Sequence, residues 1–449
     1  MALEKGNKKL IRAWMMYDWA NSVYPLVIST AIFPLFYAGL TRMPDIGKEV
    51  IIEGNQQIVV NFLGWEVINT SLIFYAGAFG YLLVSLLSPF LSGIADYMGR
   101  KKPFLRFFAY LGSLSCMGFY FFSGEALHWG ILLYLLALIG FCGSLVFYNA
   151  YLPEIAEKED QDRVSSGGFS LGYIGSVILL ILCLVLIKGH GLFGIEGEEE
   201  IAEYGWFATR LSFVLVGLWW FGFSHIFLSK IKENKNKINL SKDVLFSGFK
   251  ELEKVWKSLK QNKQLKRFLI AFFTFSMGVQ TVIMVASYFA EKEILWESDG
   301  QKSTGMIVSI LLIQLVAVLG AFLASKLSSK IGNIRTLQII NVGWATLSII
   351  AFFIESPTSF YITASFVGLV LGGIQSIARS AYSKFLPQTD DTSSYFSFYD
   401  VSEKVGIVLG MVMFAYLEQE FGSMRYSVLL LASFFILGFV LLAFVPKRK

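Results

Sequence analysis

Twelve long apolar runs divide the chain, and they limit its fold more than any other feature of the sequence. A helix needs roughly 20 mostly apolar residues to cross the hydrocarbon core of a bilayer. Lipid offers an exposed backbone no hydrogen bonds, so such runs fold as helices there. The sequence therefore predicts an all-α membrane protein with about twelve transmembrane helices. The runs lie near 13–40, 67–92, 104–123, 128–151, 168–188, 209–228, 267–290, 304–325, 334–354, 358–382, 397–417 and 424–446.

Composition argues against a water-soluble protein, because charged residues make up only 16% of the chain and hydrophobic residues 55%. The net charge of +5 comes in short blocks between the apolar runs, which is the pattern of membrane topology and not of a nucleic-acid surface. Three Cys and three His lie at unrelated spacings, so we expect no disulfide, no metal site and no other cofactor. The first run has no cleavage site after it and is predicted to be retained as a helix.

Most of the 38 Lys and Arg residues lie in the N-terminus, the even-to-odd loops and the C-terminus. Positive charge collects on the cytoplasmic side of membrane proteins, so both termini are predicted to be cytoplasmic. The opposite loops are acidic, as in Gly194–Glu203. Short outer loops and the lack of a disulfide framework favour a bacterial inner membrane, with an organelle membrane as the alternative.

The stretch 229–266 separates two halves of six runs each, because the composition there becomes Lys-rich. Its apolar residues recur at helical spacing, which predicts an amphipathic helix on the inner membrane face. This linker is either a tether or a regulatory or partner-binding element. The chain is thus predicted to form a bundle of residues 1–228, a linker of 229–266 and a second bundle of 267–449. The apolar linker residues are Leu245, Phe249, Leu252, Trp256 and Leu259.

Internal repetition supports the two halves. Three pairs of residues recur at nearly the same offset, which indicates a duplicated six-helix unit. The pairs are Gly99 and Gly332, Pro153 and Pro387, and Gly172 and Gly406.

The segment Gly93–Lys102, between the second and third runs, has the pattern G-x-x-D-x-x-G-R-K-K. Gly93 and Gly99 allow a sharp turn and a close approach of two helices. Asp96 is an acid at a helix end, and Arg100 is among the cations just beyond it. Such a cluster can break and re-form as two halves move. The alternative is an ordinary positively charged loop.

Longer strings carry a resemblance to a known family. They are YDWANS at Tyr17–Ser22, YNAYLPE at Tyr148–Glu154, and GGIQSIARS at Gly372–Ser380. With the loop motif, they resemble the major facilitator superfamily and, within it, the vacuole-effluxer-like (autophagy-related) transporters. The resemblance spans nearly the whole chain. It implies two pseudo-symmetric six-helix halves and a transport function, and fungal relatives are associated with amino-acid efflux from the vacuole. The fifth run lacks the Gly-Pro pair of the drug-antiporter branch, which counts against drug/proton antiport.

Five ionisable side chains lie inside the predicted helices at similar depth. Each costs at least about 2.5–3.5 kcal/mol to insert, so such residues normally face a cavity or a partner. We expect them to form an inner network, partly protonatable, that serves gating or coupling; the alternative places them in the headgroup region. They are Asp18, Arg379, Asp400, Glu403 and Lys404.

The loop after the fourth run adds two further gating candidates. Glu154 and Arg163 flank this loop, and they are expected to pair with Arg100 and Asp96 across the inner surface. Surface pairs contribute only about 0–1 kcal/mol to stability, so their value would lie in switching between states. Solvated loop charges are the alternative.

A second polar set is expected to line a central cavity. The resemblance implies that the first, fourth, seventh and tenth helices surround it. Amides and phenols at this depth either line a cavity or hydrogen-bond another helix. A pocket of this kind, with one Arg, would suit a zwitterion or a small organic anion. The candidate substrate-binding residues are Asn21, Tyr24, Tyr148, Asn149, Gln280 and Gln375.

These features together predict a secondary active transporter that moves a small solute, amino acids being the candidate, by alternating access. A proton or another ion gradient would supply the energy, and a monomer is expected. A flippase for lipids or amphiphiles on the same fold is the alternative. No phosphate-binding G-x-x-x-x-G-K-[ST] loop and no catalytic set occurs in the sequence, so neither an ATP-driven pump nor an enzyme is expected.

Overall fold

The computed structural model describes residues 4–52, 55–123, 126–232, 242–421 and 423–446. In this part of the chain, one helix or composite helix corresponds to each of the twelve apolar runs, in the same order. Within the described residues, eleven are long and apolar enough to cross a membrane. The other, the eleventh, carries Asp400, Glu403 and Lys404. After a composite first helix, helices two to twelve are Asn69–Tyr97, Lys102–Gly118, Leu127–Ala150, Gln161–Lys188, Glu198–Lys230, Lys263–Glu293, Asp299–Ile331, Asn333–Ala351, Pro357–Phe385, Thr392–Phe421 and Met424–Ala443.

The first spanning helix changes its winding along its length. It begins as the α-helix Lys8–Asn21, continues as the π-helix Tyr24–Ile32, and ends as the α-helix Phe33–Thr41. Both later segments carry a proline in their first turn, and proline cannot donate the N–H that a regular α-helix needs. The sequence predicts only a plain helix here. Because π-helical turns are rare and concentrate at functional sites, this segment marks the first helix as a place to look for function.

A three-stranded antiparallel sheet lies between the first and second helices, and the sequence analysis did not predict it. Its strands are β1 (Gly47–Ile52), β2 (Asn55–Phe62) and β3 (Trp65–Ile68). The turn between β2 and β3 consists of Leu63 and Gly64, which both have positive φ (53° and 86°). A two-residue turn of this kind matches the twist of the flanking strands. The β-branched residues of β1 and β2 were the signal available in the sequence.

The buried apolar residues form two separate cores. One contains side chains from Leu10 to Ile231, and the other contains Ala150 and side chains from Val255 to Val445. The fifth helix packs on the eighth and tenth, and the second packs on the eleventh. Contacts between the two cores therefore run along these helix pairs.

The first and last described residues lie at one face of the bundle, which we call the terminal face. There the N–H of Gly6 donates to the carbonyl of Ile155 (2.9 Å), and the Gln264 amide donates to the carbonyl of Pro446 (2.9 Å). An even number of membrane crossings places both ends on one side, as observed.

The linker forms the helix Lys242–Gln261 at the terminal face, as its apolar spacing predicts. Val255 and Leu259 are buried, whereas Phe249 and Trp256 stay largely exposed. The side chain of Leu245 lies outside the described part of the chain. The helix touches the second helix at Gly93, and its Trp256 ring stacks on Phe398 of the eleventh at 5.4 Å. It therefore bridges helices that belong to different cores.

Candidate functional site

A buried guanidinium forms the centre of a polar contact between four helices. Arg379, on the tenth helix, is 3% exposed. Its Nη2 donates to Oδ2 of Asp18 on the first helix (2.9 Å) and to the carbonyl of Ser165 on the fifth (2.9 Å). Its Nε donates to the Ser165 hydroxyl (2.9 Å), and its Nη1 to Oδ1 of Asn149 on the fourth (3.3 Å). We call these four residues the Arg379 cluster.

Aromatic rings enclose the Arg379 cluster. The guanidinium carbon lies 4.1 Å from the Phe169 ring centre, 4.9 Å from Trp14 and 5.6 Å from Tyr148. The Trp14 and Tyr148 rings stack at 4.4 Å, and the Trp14 indole N–H donates to the Tyr148 carbonyl (3.0 Å). Ring faces attract cations, and excluding water strengthens every charge interaction inside the cage. Inside the cage, the Arg379 guanidinium and the Asp18 carboxylate therefore each need the other as a counterion.

Glycines let the fifth helix come this close. A Cβ added to Gly168 would lie 3.1 Å from Nη2 of Arg379 and 3.3 Å from the Trp14 ring, and it would collide with the Asp18 carboxylate. A Cβ at Gly172 would lie 3.1 Å from the backbone carbonyl of Asp18. The pair Gly168 and Gly172 therefore forms the close packing face that small residues four apart provide in membrane helices.

A second charged cluster lies on the eleventh helix, where Asp400 and Lys404 are buried and the Glu403 side chain is 21% exposed. Lys404 Nζ is 3.4 Å from Oδ1 of Asp400 and 2.9 Å from Oε2 of Glu403. The other oxygen of Glu403 accepts a bond from the Gln280 amide on the seventh helix (2.8 Å). We call these four residues the Lys404 cluster. The sequence predicts one network of five charges, whereas the structure places them in two clusters.

At the terminal face, the loop between the second and third helices holds the start of the eleventh. Asp96 accepts the backbone N–H groups of Ser393 (3.3 Å) and Ser394 (2.6 Å), in the first turn of that helix. A carboxylate there is favoured, because the first N–H groups of a helix have no partner within it and carry partial positive charge. Asp96 thus joins the two cores.

The same contact includes a lysine that the sequence analysis did not select. Lys101 pairs with Glu154 and bonds to the Thr392 hydroxyl, and it lies 3.7 Å from Asp96. Burial works to lower the pKa of Lys101, but the Glu154 and Asp96 carboxylates outweigh it and raise that pKa above its ordinary value. The ammonium therefore stays charged while this face is closed.

A second polar contact between the two halves, besides the one at Asp96 and Lys101, lies at the start of the fifth helix. Asp162 accepts bonds from the Ser328 hydroxyl (2.8 Å) and the Asn333 amide (2.7 Å), and it pairs with Lys384 (2.6 Å). The sequence analysis missed Asp162 and Lys384. The duplicated loop pattern around Gly332 was the signal that could have pointed to them.

Two predicted loop pairs need correction. Arg163 pairs with Asp160 three residues earlier (2.9 Å) and stays exposed, so it does not join Asp96. Glu154 pairs with Lys101 in place of the expected Arg100. The reason is geometric: Arg163 follows Asp162 on the fifth helix, and only one of two consecutive helical side chains can face the neighbouring loop.

The six candidate substrate residues fall into different surroundings. Asn149 and Tyr148 belong to the Arg379 cluster and its cage, and Gln280 belongs to the Lys404 cluster. Gln375 accepts a bond from the Tyr173 hydroxyl on the fifth helix (2.6 Å), and Asn21 is buried one turn from Asp18. Tyr24 packs against Phe141 and Trp220 inside the first core, which favours a packing role for it. The sequence analysis missed Trp14, Ser165, Phe169 and Tyr173.

Residues 6–449 match the model of a family described as "Vacuole effluxer Atg22 like". The chain belongs to this vacuole effluxer family. It is 31% identical over 439 residues to the "Uncharacterized MFS-type transporter YxiO" of Bacillus subtilis (strain 168), covering 97% of this chain and 94% of that protein. It is 22% identical over 558 residues to autophagy-related protein 22-1 of Penicillium rubens, covering 99% and 91%. The family resemblance predicted from the sequence is confirmed.

Solved structures confirm the fold. A major facilitator superfamily transporter, FucP, in the outward conformation, matches with a TM-score of 0.70 at 13% identity, covering 99% of both chains. The proton:xylose symporter XylE matches with a TM-score of 0.70 at 12% identity, covering 98% of this chain and 96% of that one. This vacuole-effluxer-like protein is thus an integral, multi-pass membrane protein with the all-α major facilitator fold. As its relatives are transporters, it is a secondary transporter and not an enzyme.

Proposed function

We propose that this transporter carries a small zwitterion, with amino acids as the candidate class, at the Arg379 cluster. The observation that carries the proposal is the buried pair of Arg379 and Asp18 inside an aromatic cage. A zwitterion carries the complementary pair of charges. Its carboxylate fits the fork of Arg379, and its ammonium fits Asp18 and the ring faces. In this proposal, Asn149, Tyr148 and Gln375 would contact the rest of the solute.

The solute would act by replacing the ion pair. Asp18 and Arg379 lie on the first and tenth helices, so their pair holds the two halves together. A zwitterion that satisfies both charges removes the penalty for separating them, because neither charge is left buried without a partner. We infer that residues 1–228 and 267–449 then rock about this site, with residues 229–266 as the tether between them.

The contacts at the terminal face would act as its gate. Asp96 and Lys101 hold the eleventh helix, while Asp162 and Lys384 hold the loop between the eighth and ninth helices. We infer that these contacts close the terminal face in the state described, and that they break when the site opens to this side. By the distribution of positive charge, this face is proposed to be cytoplasmic, in the cell membrane of a bacterium, with the protein as a monomer.

Uptake and counterflow of pooled labelled amino acids in proteoliposomes test the proposal, with and without a proton gradient. We expect saturable counterflow that Asp18→Asn abolishes. Asp160→Asn is the matched control, since Asp160 also pairs with an arginine but lies exposed outside the site. This control is expected to transport normally. Counterflow that survives Asp18→Asn would remove Asp18 from the site.

Folded protein without any amino-acid flux would reject the amino-acid proposal. The same vesicles then serve to measure the translocation of a labelled phospholipid. Lipid movement there would favour the flippase alternative.

A further inference from the structure

The Lys404 cluster has an imbalance of charge. Two carboxylates, Asp400 and Glu403, face a single ammonium, Lys404. Asp400 and Lys404 are 5% and 4% exposed, whereas the Glu403 side chain is 21% exposed, so water can compensate part of the Glu403 charge but not that of Asp400. A buried charge is tolerated only when it is paired and hydrogen-bonded. If all three groups were ionised, one negative charge would remain without a partner inside the helix bundle.

Within the described residues, Lys404 is the cation that acts on Asp400, and the surrounding helices bring no second one to it. Tyr81 of the second helix and Cys142 of the fourth lie within electrostatic range of Lys404, and Gln280 approaches from the seventh. None of these three is positively charged at neutral pH. Arg379 of the tenth helix lies within electrostatic range of Tyr399, one residue before Asp400. Its positive charge is already paired with Asp18 and is not available to the Lys404 cluster. The imbalance is therefore not removed by a neighbour.

The hydrogen bonds show which carboxylate lacks a partner. Both oxygens of Glu403 are engaged, one by Lys404 and one by Gln280. Oδ2 of Asp400 is buried and has no hydrogen-bond partner. An ionised oxygen without a donor is costly in a buried site, whereas a neutral carboxyl costs far less. The compensating positive charge thus belongs on Asp400.

We propose that Asp400 is the proton-binding site that couples transport to a proton gradient. The proton binds Oδ2, and the cluster then carries no net charge while Lys404 remains an ammonium. Within the described residues, no group of three or more His, Cys, Asp or Glu is placed to hold a metal ion. This assignment rests on the proposed transport cycle, in which the eleventh helix moves with the second half.

Movement of the eleventh helix provides the route for release. This helix packs on the second and fourth helices in the closed arrangement. When the halves separate along this seam, water reaches Asp400, its anion becomes stable, and the proton leaves. A neutral zwitterion carried with one proton moves one positive charge in each cycle. Solute flux is therefore expected to generate a membrane potential.

Infrared difference spectroscopy on the purified protein, recorded against pH without any solute, tests the proton site. We expect a carbonyl band of a protonated carboxylic acid that titrates well above about pH 4, the range of exposed Asp and Glu, and that is absent from Asp400→Asn. The same band is expected to disappear in Glu403→Gln, because one carboxylate and one ammonium then balance. Asp400→Glu is expected to restore a band in this pH range, and Asp160→Asn is expected to leave the band of Asp400 unchanged.

If the band that titrates above this range persists in monodisperse Asp400→Asn, the assignment is overturned, and its persistence in Glu403→Gln would overturn it as well. Because no solute is present, this failure would reject the proton site and leave the transport proposal standing. Conversely, a normal titration with no amino-acid flux would reject the proposed solute and keep the proton site.

Discussion

The ion pair between Asp18 and Arg379 allows the sharpest prediction about conformation. Asp18→Asn keeps the size of the side chain and removes its charge, so Arg379 remains buried without a counterion. Breaking a buried pair in this way costs about 3–5 kcal/mol. The cost falls on the closed arrangement, because opening the terminal face hydrates the guanidinium. At about 1.4 kcal/mol for each factor of ten, even the lower value shifts the equilibrium about 100-fold toward the open arrangement.

Spin labels on the terminal face measure this shift. Glu159→Cys and Lys330→Cys lie on exposed residues of the two halves, on either side of the seam between the fifth and eighth helices. The native Cys116, Cys142 and Cys183 are buried and should not react. We expect a single short distance between the labels in the parent protein and a dominant longer distance after Asp18→Asn.

The double variant Asp18→Asn with Arg379→Gln separates charge from shape. It removes both charges, so the closed arrangement is expected to return in large part. Asp45→Asn, on an exposed side chain near the sheet, is the control and is expected to leave the distance unchanged. The reasoning is refuted if Asp18→Asn leaves the short distance dominant, or if the double variant is as open as the single one.

Three further predictions concern contacts between helices. Asp96→Asn weakens the hydrogen bonds to the first turn of the eleventh helix, which are worth about 1–2 kcal/mol. The same spin labels should therefore report an open population raised about tenfold. An unchanged open population would contradict the role of Asp96. Gly168→Ala places a methyl group against Arg379, so we expect a lower melting temperature and slower transport. Gly205→Ala is the control and should be neutral, because its methyl group meets no atom within 4 Å. Equal effects at both positions would count against close packing at Gly168. Gly248→Ala brings a Cβ to 2.9 Å from the backbone nitrogen of Ile94. We therefore expect the linker helix to detach from the second helix and to be cleaved faster by a protease. An unchanged cleavage rate would show that the linker is not held at this contact.

Much of the architecture follows from local properties of the sequence. Length and hydropathy decide whether a segment can span a bilayer, and both can be read without knowing any neighbour. The twelve helices and the family were therefore predicted correctly. The linker helix followed from its apolar spacing, although Phe249 and Trp256 of the predicted apolar face remain largely exposed. The sheet of residues 47–68 was missed, because strands this short have weak local signals beside long apolar runs.

The candidate site was predicted only in part. Charged residues inside apolar runs stand out in any sequence, which is why Asp18, Arg379 and Asp400 were selected. Aromatic and small residues do not stand out among so many others, so Trp14 and Phe169 of the cage were not found. Asp162 looked like an ordinary loop acid until the structure showed it bonded to Ser328, more than a hundred residues away.

The sequence by itself determined that this chain is a bundle of membrane helices with costly charges inside it. Only the tertiary structure decided how these charges are partnered. Arg379 joins Asp18 and not Glu403, and Lys101 rather than Arg100 meets Glu154. The physical reason is that helix formation depends on each segment and its solvent, whereas an ion pair depends on distance and burial. Those two quantities exist only after helices distant in the chain have packed together.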